Sequence, residues 1–262
     1  MSRQIITITT DFGDTHSYLA QMKGVILSIN PEATIIDLTH RIPPQDVVHV
    51  AQSLPELVRY FPADTIHIVV VDPGVGSDRK IVYTRFGSQQ FVSPDNGCLT
   101  GLAHREEPST IVELADGQYW LPDVSATFHG RDIMAPVAAR LSLGLEPTAL
   151  GPRRDRLVRI KLPEARILPG KVEGEIVSID SFGNLVTNIT AEALADAPRD
   201  ESVTIRCDDH ETLGIYTTYS DQPEMTLIAL FGSSGNLEIA IVNDSAKIML
   251  GVRIGEKVVV RW

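Results

Sequence analysis

The sequence predicts an α/β domain with a mainly parallel sheet, followed by an all-β domain built as a small antiparallel barrel or sandwich. Three observations carry this. In the first half, short β-branched runs alternate with longer amphipathic stretches. One run, TIHIVVV at 65–71, is apolar almost throughout, as in a strand covered on both faces. Beyond about residue 170 the helical pattern fades, and short strands separated by turn residues remain.

The elements follow in order. IITITT (5–10) reads as a strand, SYLAQMKGVILSI (17–29) as a helix and ATIIDL (33–38) as a strand. DVVHVAQSLPELVRYF (46–61) is helical, bent or broken near Pro55. After the strand at 65–71 come shorter ones at 81–86, 89–93 and 109–114, then a helix over 131–144 closed by Gly144. The segment 145–170 carries four prolines and a cluster of bases, and reads as a connector. Strands are expected at 173–180, 184–190, 202–207, 226–231, 236–242 and 256–262. No internal repeat is present. Two domains result, 1–152 and 171–262, with a linker at 153–170.

Composition narrows the function. Acids outnumber bases 34 to 23, for a formal charge of −11, so a surface that repels phosphates disfavours nonspecific nucleic-acid binding. Cys98 and Cys207 form no CxxC pair and read as buried small residues. The beginning, MSRQIITITT, runs into a strand without a leader-like apolar stretch, and no run is long enough to cross a bilayer. A soluble cytoplasmic protein is expected, with no membrane partner.

Chemistry is expected beyond the carboxyl ends of the parallel strands. Asp11 stands there in TTDFGD and Asp72 in VVVDPGVGSDR. The ordinary alternative is a turn residue or helix cap, because Asp and Gly dominate such loops. Around Asp72, however, Pro73 fixes the backbone, while Gly74 and Gly76 allow the chain to approach a ligand. Arg79 lies one tight turn further on and could fold back to pair with the carboxylate. The loop lacks GxxxxGK[ST], so a nucleoside-triphosphate cradle falls away. In TFHGRD (127–132), Thr127 could cap the following helix, placing His129 near a helix N-terminus where the dipole favours its neutral form. No HxH or HExxH spacing supports a metal site. In IDSFGNLVTNI (179–189), Asp180, Phe182 and Asn184 alternate as they would on one face of a strand end, though Gly183 suits a turn equally well, with Phe182 then in the core. Together they offer a carboxylate for an amine, a ring for stacking and an amide for a base edge.

TTDFG, VDPGVGSDR, SPDNG (93–97), TFHGRD, IDSFGN with VTNI, and SSGNLEIA (233–240) occur in this order. In this the chain resembles the S-adenosylmethionine hydroxide adenosyltransferases, the adenosine-forming SAM hydrolases related to fluorinating and chlorinating enzymes. The resemblance runs from residue 5 to about 260. It implies an α/β domain followed by an antiparallel β-barrel, and a homotrimer with active sites between subunits. It also implies hydrolysis of S-adenosyl-L-methionine (SAM) with no cofactor and no metal. A catalytic set falls on Asp72, Arg79 and His129, a ribose-diol acid on Asp11, adenine contacts on Phe182 and Asn184, and methionine contacts on Asp180 and Ser233. Phe128, just before the histidine, joins the substrate-binding candidates.

Three positions favour water over halide as nucleophile. The halogenases carry an aromatic residue where this chain has Asp72, a small hydroxyl residue where it has Gly130, and a tryptophan where it has Gln45. The chain departs from the family pattern in two places: Asp14 and then His16 stand where an acid is usual after TDFG, and Ser234 stands where the halogenases have an arginine. The other readings are a SAM- or adenosine-binding module without turnover, a metal-dependent hydrolase and a halogenase.

Overall fold

The computed structural model describes residues 4–262; residues 1–3, where the first predicted domain begins, lie outside the described residues. The chain divides into two compact units, one ending at Leu162 and one spanning Pro163–Trp262.

In the first unit a six-stranded sheet has the order β2-β1-β3-β5-β4-β6. Its strands are β1 (Ile5–Thr10), β2 (Thr34–Thr39), β3 (Ile66–Val70), β4 (Ile81–Phe86), β5 (Gln89–Pro94) and β6 (Thr110–Glu113). The pairs β1–β2, β1–β3 and β3–β5 are parallel, whereas β4 runs antiparallel to β5 and β6. All five residues of β3 are buried. Period-two alternation sends Ile66, Ile68 and Val70 into a core with Met22 and Ile26 of α1 (Tyr18–Ile29) and Val137 of α4 (Ala135–Ser142). Val69 goes to the opposite core, against Val50 and Leu54 of α2 (Val47–Leu57) and Leu102 of α3 (Thr100–Arg105). Helices therefore cover both faces, as the continuous apolar run at 65–71 predicts.

Several local expectations are corrected. The second helix runs through the internal Pro55, which withholds one N–H from the ladder, and ends at Leu57, short of the predicted 61. The predicted helix at 131–144 opens as a π turn, Gly130–Met134, before α4 begins. Thr127 does not cap it; its hydroxyl lies 3.2 Å from that of Ser125. The short helix α3 goes unpredicted. Arg154, in the proline-rich stretch, bonds Glu113, and the Val158 amide donates to Asp95, so residues 153–162 run along the first unit.

The second unit is an eight-stranded antiparallel sheet, ordered β11-β10-β14-β8-β9-β13-β12, with β7 beside β8. The strands are β7 (Arg166–Leu168), β8 (Lys171–Ile179), β9 (Leu185–Thr190), β10 (Thr204–Cys207), β11 (His210–Leu213), β12 (Leu227–Phe231), β13 (Asn236–Ile241) and β14 (Lys257–Arg261). The two ends approach each other: Thr212 of β11 donates its hydroxyl to the Leu227 carbonyl of β12 at 2.7 Å. The sheet is a nearly closed barrel around Val172, Ile176, Leu185, Ile205, Ile239 and Val258. A five-residue helix, α5 (Ala246–Leu250), follows β13. Among the described residues no helix is long and apolar enough to cross a membrane.

Candidate functional site

The first unit gathers its candidates at the carboxyl edge of the sheet. The parallel register pairs Thr10 with Val70, so Asp11 and Asp72 leave neighbouring strands at the same edge. Asp72 is gripped side-on by Arg79, whose Nε donates to Oδ1 and Oδ2 at 2.8 and 2.9 Å, with a further contact from a terminal nitrogen. The same nitrogen reaches His129 Nδ1 at 2.9 Å. The order of contact is thus Asp72–Arg79–His129, with the guanidinium in the middle. Both members of the ion pair are nearly sealed, the side chains being 5% and 11% exposed.

Arg79 has only donors to give, so Nδ1 accepts, and a neutral His129 carries its proton on Nε2. Burial lowers the His129 pKa from its ordinary 6.5, and the Arg79 charge lowers it further, against opposition from Asp72 and Asp132. The expected neutral form is therefore favoured by desolvation and a neighbouring cation.

The glycines serve close packing within the chain. Gly76 has φ +80°, and a Cβ there would meet the Ala126 carbonyl oxygen at 2.4 Å. It lets the Asp72–Arg79 loop lie flat on the segment leading to His129. At Gly130, a Cβ would sit 3.0 Å from Val70, so its absence seats the π turn on the end of β3. Asp132 is fully buried and accepts from the Ser125 amide at 2.8 Å, tying down the same segment. Asn96, from SPDNG, donates to the Val71 carbonyl at 2.9 Å, immediately before Asp72.

Asp11 accepts from the Gln45 amide at 2.8 Å, and Gln45 holds a left-handed φ of 65° to present it. Phe128 packs edge-on against Phe12 and Tyr18, with centroids 5.7 and 5.3 Å away, and lies beneath the Arg131 guanidinium. These residues line a cleft of about 400 Å³. Asp14 pairs with exposed Arg41 at 2.9 Å, and His16 packs against Tyr18.

In the second unit, Asp180, Phe182, Asn184 and Ser233 all line one cavity of about 930 Å³. Asp180 Oδ1 accepts from the amides of Phe182 and Asn184 at 2.9 and 2.8 Å, so the segment is a turn and not a strand face. Gly183 has φ +87° and packs on Ser245. The turn raises Phe182 to 78% exposure, out of the core. Asn184 is buried and donates to Asp180 Oδ2 at 2.9 Å. The cavity wall also holds Tyr219 and Glu238, which go unnoticed in the sequence as site residues. Tyr219 donates to Glu238 at 3.0 Å. Burial raises the pKa of both groups, Tyr219 to about 12, with Glu238 reinforcing the shift. Among the described residues no group of three or more His, Cys, Asp and Glu side chains is arranged to hold a metal ion.

The pattern of the SAM hydroxide adenosyltransferase N-terminal domain matches residues 6–151, and that of the C-terminal domain matches 174–259. The chain belongs to the SAM hydroxide adenosyltransferase family. A curated relative named (R)-S-adenosyl-L-methionine hydrolase, from Salinispora tropica, is 35% identical, covering 96% of this chain and 95% of that protein. Another of the same name, from Thermus thermophilus, is 36% identical, covering 94% and 95%. A fluorinase from Actinoplanes is 30% identical but covers only 71% of each chain. Among solved structures, an uncharacterized conserved protein of Thermotoga maritima aligns with TM-score 0.93 at 34% identity, covering 99% of this chain and all of that one.

Within the SAM hydroxide adenosyltransferase frame, Gln45 is marked in the sequence by its side-chain position, but its contact with Asp11 is made by the backbone amide, which carries no side-chain signal. Glu238 reads as one alternate position of an ordinary strand, NLEIAI. The signal that could have found it is an acid among apolar neighbours on the face of β13 turned away from Leu237, Ile239 and Ile241 of the barrel core, buried there all the same.

Proposed function

We propose that this protein hydrolyses S-adenosyl-L-methionine to adenosine and L-methionine by attack of water on C5′. The observation that carries the proposal is the Asp72–Arg79–His129 chain of contacts at the carboxyl edge of the first sheet. It stands in a family whose curated relatives include proteins named for this reaction.

The C5′–S bond breaks with its electron pair going to sulfur, which leaves as the neutral thioether of methionine, so no acid is needed for departure. The demand falls on the nucleophile, since neutral water is weak. Asp72 accepts a proton from the water as its oxygen bonds C5′, and passes it to solvent. His129, fixed by Arg79 in the Nε2–H form, donates to that oxygen and holds it in line. Arg79 aims both groups. Positioning of this kind and general-base help each contribute, the latter typically about 10²–10⁴-fold. Asp11 takes the ribose diol beside the same edge, with Phe128 against the substrate. In the barrel cavity, Phe182 and Asn184 hold the adenine, and Asp180 and Ser233 the methionine.

The reaction takes place in the cytoplasm, uses no cofactor or metal, and belongs to a homotrimer with its active sites between subunits. The test is chromatography of SAM incubated with the pure protein, with chelator and with added chloride or fluoride. Adenosine formed at an undiminished rate in every case supports the proposal. A 5′-halo-adenosine, or activity lost on chelation, contradicts it.

A further inference from the structure

The Asn184 side chain is locked in one direction, and the lock has a chemical consequence. A primary amide has two N–H donors and a carbonyl acceptor, and turning it over exchanges their places. Here Nδ2 donates to Asp180 Oδ2 at 2.9 Å and approaches the Tyr219 oxygen at 3.4 Å, which accounts for both hydrogens. The Tyr219 oxygen is available as an acceptor because its single proton goes to Glu238 Oε2, at 3.0 Å. A reversed amide would set its oxygen against the Asp180 carboxylate. The Asn184 oxygen has no partner among the described residues and is not sealed from the cavity that Asn184 lines.

We infer that Glu238 and Tyr219 are positioning residues that hold Asn184 as an acceptor only, so that the barrel cavity selects a purine bearing an amine at position six over one bearing a carbonyl. This rests on the reading of that cavity as the adenine site. A 6-amino group offers the donor that the fixed oxygen needs. A 6-oxo group sets oxygen against oxygen and leaves the buried amide unpaired, the situation in which polar sites discriminate most strongly. Glu238 acts through Tyr219: Glu238 fixes the hydroxyl, the hydroxyl takes the second amide hydrogen while Asp180 takes the first, and the amide is left with one orientation.

The test is equilibrium binding of adenosine and of inosine to the full-length protein, with no turnover required. The parent should bind adenosine at least about tenfold more tightly, one hydrogen bond's difference or more. Tyr219→Phe and Glu238→Ala remove one of the two acceptors that hold the amide, Asp180 being the other, and should narrow the preference by at least about threefold. Glu238→Gln keeps an acceptor for the tyrosine and should restore the preference, which general damage to the barrel would not. If Tyr219→Phe and Glu238→Ala weaken both nucleosides equally and leave their ratio unchanged, the inference fails. A parent that binds both without preference also overturns it, whereas a parent that binds neither overturns the adenine reading of the cavity as well.

Discussion

Removing Asp72 has two separable effects, because its partner Arg79 is only 11% exposed. Asp72→Ala leaves a buried guanidinium without its carboxylate, a loss worth about 3 kcal/mol or more of stability. The same change removes the proposed proton acceptor and should slow adenosine release by about 10²–10⁴-fold. His129→Ala removes only the ordering donor, so it should slow turnover with a smaller effect on the denaturant midpoint. Parent-like rates in both variants would remove these residues from the reaction. The pH dependence follows from His129. Its folded pKa is lowered, so the native state holds the neutral ring and stability rises with pH between that value and 6.5. Activity should fall on acidification with an inflection below 6.5, as a protonated ring can no longer accept from Arg79. An inflection above 6.5 would contradict this. The Asp72–Arg79 pairing was legible because five intervening turn-forming residues bring the ends of the segment together. Phe182 was not: a turn reading put it in the core, yet Asp180 and Gly183 hold the turn so that the ring faces out.

At the level of elements, the site depends on how a loop lies against a helix start. Gly76→Ala would force a left-handed backbone on a residue with a side chain and drive its methyl into the Ala126 carbonyl. The expected outcome is more than about 1 kcal/mol of lost stability. The loss of kcat should exceed that seen for Gly13→Ala, where φ is also positive but the space is open. Equal effects from the two changes would mean that the close approach is irrelevant to catalysis. Strands rich in β-branched and aromatic residues were readable: β1 and β4 fall on the predicted residues. The elements that escaped are short ones: the three-residue β7, the four-residue β11, the six-residue α3 and the five-residue α5. None is long enough to show a period; β7 and β11 are short hairpin arms on β8 and β10, and α3 packs on α2, distant in sequence. The π turn at Gly130–Met134 escaped for another reason, because its apolar spacing differs from an α-helix by too little over five residues.

At the scale of the molecule, the two folded units carry different parts of the proposed chemistry, the first the water-orienting group and the second an acidic, aromatic-walled cavity. The proposed trimer is testable by dilution: specific activity should fall as sedimentation shows dissociation, and activity unchanged in a sedimenting monomer would contradict it. The net charge of −11 places no demand on this reaction, since a single cavity can differ from the whole surface. The order of layers and the change from α/β to barrel were legible because they rest on composition over tens of residues. The strand pattern alone left barrel and sandwich open; β11 meeting β12 through side-chain and loop contacts makes it the nearly closed barrel that the resemblance implies. Hydrolysis at C5′ is the central claim, and single-turnover reaction of SAM in ¹⁸O-labelled water tests it most directly. One ¹⁸O atom should appear in the 5′-hydroxyl of adenosine and none in methionine. Unlabelled adenosine, label in methionine or unreacted SAM would contradict it.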